Sequence, residues 1–178
     1  ALENSRLKDI EKYGNVETEM MKYVSESERS MTNTVPEKLQ FKDEKKKEII
    51  LSINVFSCDY RGIDHIRTVF YIFNRFNICD EFDINNEMLF KFVFELWKTY
   101  NDVPYHNWTH ACDVLQYTAY ELHIGELENV FTRLEIFALL VSAICHDANH
   151  NGYNNIYNVK SETPLGILFK GQSVMETH

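Results

Sequence analysis

The run Ala138-Leu139-Leu140-Val141-Ser142-Ala143-Ile144-Cys145 is apolar almost throughout and ends directly on the ionisable pair His146-Asp147. A helix of that composition has to be covered on most sides. An ionisable pair at the end of such a helix is costly unless it is hydrogen-bonded or bound to a metal. The polar run Asn149-His150-Asn151-Gly152 follows at once, and a glycine among asparagines marks an abrupt turn. The chain must therefore pack this helix into a core and yet open its end onto a polar cavity.

Helical spacing dominates the rest of the chain from Ile49 onward. Ile66, Val69, Phe70, Phe73 and Phe76 form one apolar stripe, and Leu89, Phe92, Val93, Leu96, Trp97 and Tyr100 form the next. Asn85 or Asn86 suits the N-cap of the second stripe, a third helix is expected from Pro104 to Gly125, and Thr132 with Glu135 reads as a capping box opening the fourth. Ser173 with Glu176 reads as another. No period-2 pattern competes, and only six glycines and three prolines interrupt the 178 residues. The fold class is all-α, with a polar lead-in or linker over 1–47 and the helical domain over 48–178. Leu7, Ile10, Tyr13, Met20 and Val24 suggest a surface helix in the lead-in, with a dimerising or regulatory helix as the alternative.

Charge narrows the function. Residues 1–47 carry ten charges of each sign, so the whole formal charge of −9 falls on 48–178. An acidic domain repels nucleic acid, and any anionic substrate would need positive charge from bound cations. Cys58, Cys79, Cys112 and Cys145 lie far apart with no CxxC pair, so reduced thiols and a cytoplasmic location are expected. No window is long and apolar enough to span a bilayer.

The histidines give the chemistry. His106 and His110 are four apart, as are His146 and His150, and Asp147 adjoins the second pair. On a helix, residues four apart share a face, so each pair can point its imidazoles at a common centre, and His110 is expected to face His146-Asp147 from the helix after Pro104. The carboxylate adds an oxygen donor that two metals can share. His65 and His123 have no such partners and read as surface or half-buried residues, and Cys112 and Cys145 as buried thiols.

Tyr105-His106-Asn107-Trp108-Thr109-His110-Ala111-Cys112-Asp113-Val114 resembles the YHNxxHAxDV segment of the class I cyclic nucleotide phosphodiesterases, and His146 to Asn155 resembles their HDxxHxGxxN signature. The resemblance covers roughly residues 50–178 and implies the N-terminal part of a multi-helix phosphodiesterase catalytic domain. It implies that His110, His146 and Asp147 ligate metal, with Asp147 bridging a zinc site and a second site filled by magnesium or manganese. It further implies His106 as general acid, His150 and Glu176 in the surrounding hydration network, and Tyr105 and Asn107 at pocket and scaffold positions, where packing and N-capping explain these two residues equally well. Ala148 is smaller than the family's usual residue there, which bears on packing more than on the ligands.

The implied reaction is hydrolysis of 3′,5′-cyclic AMP or GMP to the 5′-monophosphate, with two metals activating a hydroxide and His106 protonating the leaving oxygen. The family's further Asp ligand, purine-binding glutamine and aromatic clamp would lie beyond His178, as would regulatory domains, and a homodimer is an open expectation. Phe90, Phe94, Leu139 and Ile144 are accordingly expected to lack part of their cover. Two other readings stay open: a His-Asp phosphohydrolase acting on another nucleotide, and a non-catalytic metal-binding regulatory fragment.

Overall fold

The computed structural model describes residues 35, 37–55, 60 and 63–177. The helix expected around Leu7 to Val24, and Cys58, lie outside the described residues. Within them every regular element is helical and no strand occurs: α1 (Glu44–Ile50), α2 (Ile63–Arg75), α3 (Ile78–Glu81), α4 (Asn86–Thr99), α5 (Trp108–Ile124), α6 (Arg133–Cys145), α7 (Asn155–Lys160), α8 (Pro164–Leu168) and α9 (Val174–Thr177), with short 3-10 turns at Glu37–Leu39 and Leu127–Asn129. None of these helices is long and apolar enough to cross a membrane.

Local chemistry explains the boundaries. The Asn85 side chain accepts from Met88 N–H at the start of α4, and the Asn107 side chain does the same for His110 N–H at the start of α5. At α6 the Thr132–Glu135 capping box is complete in both directions. The box expected from Ser173 does not form, because Ser173 takes the left-handed conformation, with φ 43°. Asn155 replaces it from α7, its side-chain oxygen accepting from Met175 N–H at 2.8 Å and its amide donating to Glu176 at 2.9 Å.

The core lies where α2, α4, α5 and α6 meet. Ile66, Val69, Phe70 and Phe73 from α2 and Leu89, Phe90, Val93 and Phe94 from α4 are buried in it. Ala111, Leu115, Ala119 and Leu122 from α5 and Ile136, Leu140 and Ile144 from α6 complete it. Leu39 and Phe41, ahead of α1, also enter this core, and α1 itself runs across position 47. A short connection joins α5 to α6, and the start of α5 meets the end of α6, so the two run antiparallel.

Two expectations about cover need correcting. Phe90, Phe94 and Ile144 are fully covered, and of the four residues expected to lack cover only Leu139 is exposed, at 40%. Helix α6 presents one side outward through Leu134, Ala138 and Ser142, because the described helices reach only its opposite side. His65 is buried rather than half-buried, and His123, although exposed, lies 3.4 Å from the Arg75 guanidinium.

A buried polar anchor fixes α5 against the end of α1. The Gln116 amide donates to the carbonyls of Ile50 and Ser52, the latter at 3.0 Å. Gln116→Ala would leave the buried Ile50 carbonyl without a donor, and is expected to lower the free energy of unfolding by about 1–3 kcal/mol in urea denaturation. An unchanged midpoint would show that this anchor contributes nothing.

Candidate metal centre

The first turn of α5 and the turn after α6 come together at one end of the antiparallel pair. Asn107 caps α5 and also donates its amide to the Val103 carbonyl at 2.9 Å, which fixes the approach of the connector carrying Tyr105 and His106. His110 projects from the first turn of the helix. Opposite it, α6 ends at Cys145 and the chain continues through His146 and Asp147 into a tight turn.

His106 and His110 lie close to one another, ring centroids 5.9 Å apart and perpendicular. His106 precedes α5 and His150 lies beyond α6, so neither i,i+4 pair sits on one helix. Closer pairs form between the two motifs, and His110 faces the His146-Asp147 pair as expected. His110 faces His146 with ring centroids 5.2 Å apart, and His106 stacks on His150 at 4.0 Å with an interplanar angle of 24°. Asp147 belongs to both groups: in His110–His146–Asp147 and in His106–Asp147–His150, one donor atom per residue falls within 4.8 Å of the others.

Backbone contacts separate the chemistry of the two groups. His146 Nδ1 lies 2.9 Å from the Ala143 carbonyl, which can only accept, so in the neutral ring the proton is on Nδ1 and the Nε2 lone pair is free. That nitrogen sits 2.9 Å from Asp147 Oδ2, and His110 Nε2 sits 3.5 Å from the same oxygen. Asp147 Oδ2 is buried and receives no hydrogen bond. A carboxylate oxygen facing a neutral imidazole's lone pair across 2.9 Å is repelled unless a metal ion or a proton lies between them. The donor set of two imidazoles and a carboxylate suits zinc, and the residues therefore fit a divalent metal.

His150 is oriented the other way. Gly152 N–H donates to its Nδ1 at 2.9 Å, so in the neutral ring the proton is on Nε2 and that nitrogen is a donor, not a ligand. Gly152 has φ 83°, and a Cβ there would meet Val103 at 3.1 Å, so the glycine permits both the turn and its contact with the connector. The Asn101 side-chain amide donates to the His150 carbonyl at 2.9 Å. Sequence reasoning missed Asn101, because a side chain that bonds a distant carbonyl leaves no local pattern.

Burial, reinforced by His146, holds His110 below the ordinary imidazole pKa; burial, reinforced by His106, does the same for His150. Burial pushes the Cys112 and Cys145 thiols up, which keeps both protonated and unsuited to ligation. Tyr105 is exposed, its ring 4.4 Å from His110 and 4.9 Å from His106. Glu176 is exposed too, with its carboxylate held by Asn155.

Residues 105–178, which include the four histidines and Asp147, match the family model described as 3'5'-cyclic nucleotide phosphodiesterase. This part of the chain is similar to that family. The chain is 41% identical over 115 residues to the cGMP-specific 3',5'-cyclic phosphodiesterase of Drosophila melanogaster, an alignment covering 65% of this chain and 10% of the relative. Against the protein of the same description from Drosophila virilis it is 41% identical over 130 residues, covering 70% of this chain and 14% of the relative. The fold is similar to the crystal structure of the phosphodiesterase domain of Salpingoeca rosetta rhodopsin phosphodiesterase. There the TM-score is 0.66 and the identity 26%, with 79% of this chain and 43% of that chain covered. The chain thus spans a small fraction of the curated phosphodiesterases it matches, and less than half of that phosphodiesterase domain.

The histidine pKa shifts set a pH dependence. A histidine whose folded pKa is lowered contributes stability above its ordinary value near 6.5, and that stability is lost as pH falls through the lowered value. The metal-free chain is expected to lose stability steadily on acidification from about pH 6.5, measured by thermal unfolding across pH. His110→Asn with His150→Asn should flatten that slope.

Proposed function

We propose that this chain forms part of an enzyme that hydrolyses 3′,5′-cyclic nucleotides to 5′-monophosphates. The observation that carries the reading is Asp147 Oδ2, buried without a hydrogen-bond donor between the Nε2 atoms of His110 and His146, inside the segment that matches the phosphodiesterase family. His110, His146 and Asp147 would hold zinc, and the far side of Asp147 a second ion, magnesium or manganese. Divalent ions held there would neutralise the substrate phosphate and activate water for attack on phosphorus, which is how an acidic chain could act on an anion.

The protein's own groups then divide the remaining work. His106 lies at the rim of the centre, stacked on the His150 ring. As general acid it would deliver a proton to the 3′-oxygen as the bond from phosphorus to that oxygen breaks, water supplying the new oxygen on phosphorus. His150, held by Gly152 and Asn101, keeps the His106 ring in place and presents an Nε2–H to solvent or phosphate oxygens near Asp147. Tyr105 flanks both His106 and His110 on the exposed side, where a substrate ring can approach. Cyclic GMP is the first substrate to test, because the similar Drosophila proteins are described as cGMP-specific, and cyclic AMP is the comparison. A cytoplasmic location accords with the free thiols of Cys79, Cys112 and Cys145.

The test is a metal count and a turnover assay on the same sample of the full-length protein with both cyclic nucleotides. Asp147→Asn or His146→Ala is expected to remove bound zinc and turnover together. His106→Ala should keep the zinc and slow turnover by about 10²–10⁴-fold, the usual scale for loss of a general acid. Zinc lost from His106→Ala would make His106 a ligand. Bound zinc without turnover in a longer protein that carries the rest of the catalytic domain would favour the reading of a non-catalytic metal-binding protein.

A further inference from the structure

Tyr100 follows the last residue of α4 and was legible in the sequence only as one more member of an apolar stripe. Its hydroxyl donates to the carbonyl of Ile144 at 2.7 Å, in a buried setting. That carbonyl lies two residues before His146, and a regular helix would pair it with Ala148 N–H. The helix end tightens instead, Ala148 N–H bonding to the Cys145 carbonyl at 3.1 Å, which leaves Ile144 as one of the orphan acceptors of a helix C-terminus. Tyr100 supplies the missing donor, and burial pushes its phenol pKa up, which keeps it in the donating form.

The residues on either side of Tyr100 hold the far end of the same turn. The Thr99 carbonyl accepts from Asn149 N–H at 3.1 Å, and the Asn101 amide donates to the His150 carbonyl at 2.9 Å. Three consecutive residues thus grip the chain on both sides of His146 and Asp147. The Tyr100 ring also packs edge-on against Trp108, 5.6 Å between centroids, and Trp108 begins the helix that carries His110. One side chain therefore touches the backbone carbonyl just ahead of His146 and the Trp108 ring just ahead of His110.

We propose that Tyr100 is a positioning residue for the metal centre: its hydroxyl, bonded to the Ile144 carbonyl, sets the spacing between His110 on α5 and the His146–Asp147 pair beyond α6. Asn101 assists from the other end of the turn. The proposal rests on the metal-binding reading above and adds to it a residue that lies outside both histidine motifs.

The chain and its Tyr100→Phe and Asn101→Ala variants would be titrated with Co²⁺, a visible stand-in for zinc, in competition with a chromophoric chelator. Absorption spectra and thermal unfolding would be recorded on the same samples. Removal of a group that orients ligands typically costs about 10–100-fold in metal affinity, and that loss, with an altered Co²⁺ spectrum, is expected for Tyr100→Phe. A smaller loss in the same direction is expected for Asn101→Ala. Unchanged affinity and spectrum in Tyr100→Phe would overturn the proposal even if its unfolding midpoint fell, since a purely structural hydroxyl would move only the midpoint. Should Tyr100→Phe fail to fold, Asn101→Ala decides by the same criterion. An unaltered chain that takes up no Co²⁺ would overturn the metal reading and this proposal with it.

Discussion

The Asp147 carboxylate, placed where an apolar helix ends, is the constraint around which the rest is arranged. Its Oδ2 is buried, lies within 3.5 Å of two imidazole nitrogens and receives no hydrogen bond. A charge buried in that way is unfavourable by several kcal/mol unless compensated. The antiparallel packing of α5 on α6, the capping of α5 by Asn107 and the tight turn through Gly152 all bring imidazoles to this one oxygen.

Backbone groups decide what each imidazole does there. The Ala143 carbonyl puts the proton of His146 on Nδ1 and frees Nε2, whereas Gly152 N–H occupies Nδ1 of His150 and makes its Nε2 a donor. Two histidines four residues apart, of the same residue type, are thereby given opposite roles. Mutating the histidines alone would not reveal this division, because the tautomer belongs to the contact and not to the ring.

The exposed apolar residues have a different distribution from the buried ones. The core of α2, α4, α5 and α6 is closed, with Phe70, Phe73, Phe76 and Phe90 fully buried. Around α7 and α8, Ile156, Ile167 and Leu168 are largely exposed, as is the outer side of α6 at Leu134 and Leu139. That contrast accords with the comparison, in which the chain covers 43% of the solved phosphodiesterase domain. Helices α7 to α9 are short, and Asn155 and Asn158 hold them together by side-chain bonds to Glu176, Met175 and Thr163 more than by a core of their own.

The sequence by itself determined the helical fold class and singled out the histidines that the fold brings together around Asp147. Apolar periodicity and the caps at Asn85 and Thr132 are local signals, because helix formation and capping depend on residues within about four positions of one another. His110, His146 and Asp147 were legible because their two motifs are short and ordered. The facing of His110 and His146 across two helices was also legible, but only the tertiary structure decided that His106 stacks on His150, since α5 starts after His106 and His150 lies beyond α6. It also decided which ring nitrogens are free, why Ser173 does not cap α9, and that Tyr100 and Asn101 grip the turn. Each of these depends on a hydrogen bond between residues far apart in the chain or on a backbone angle at a helix end, and neither is encoded in local spacing.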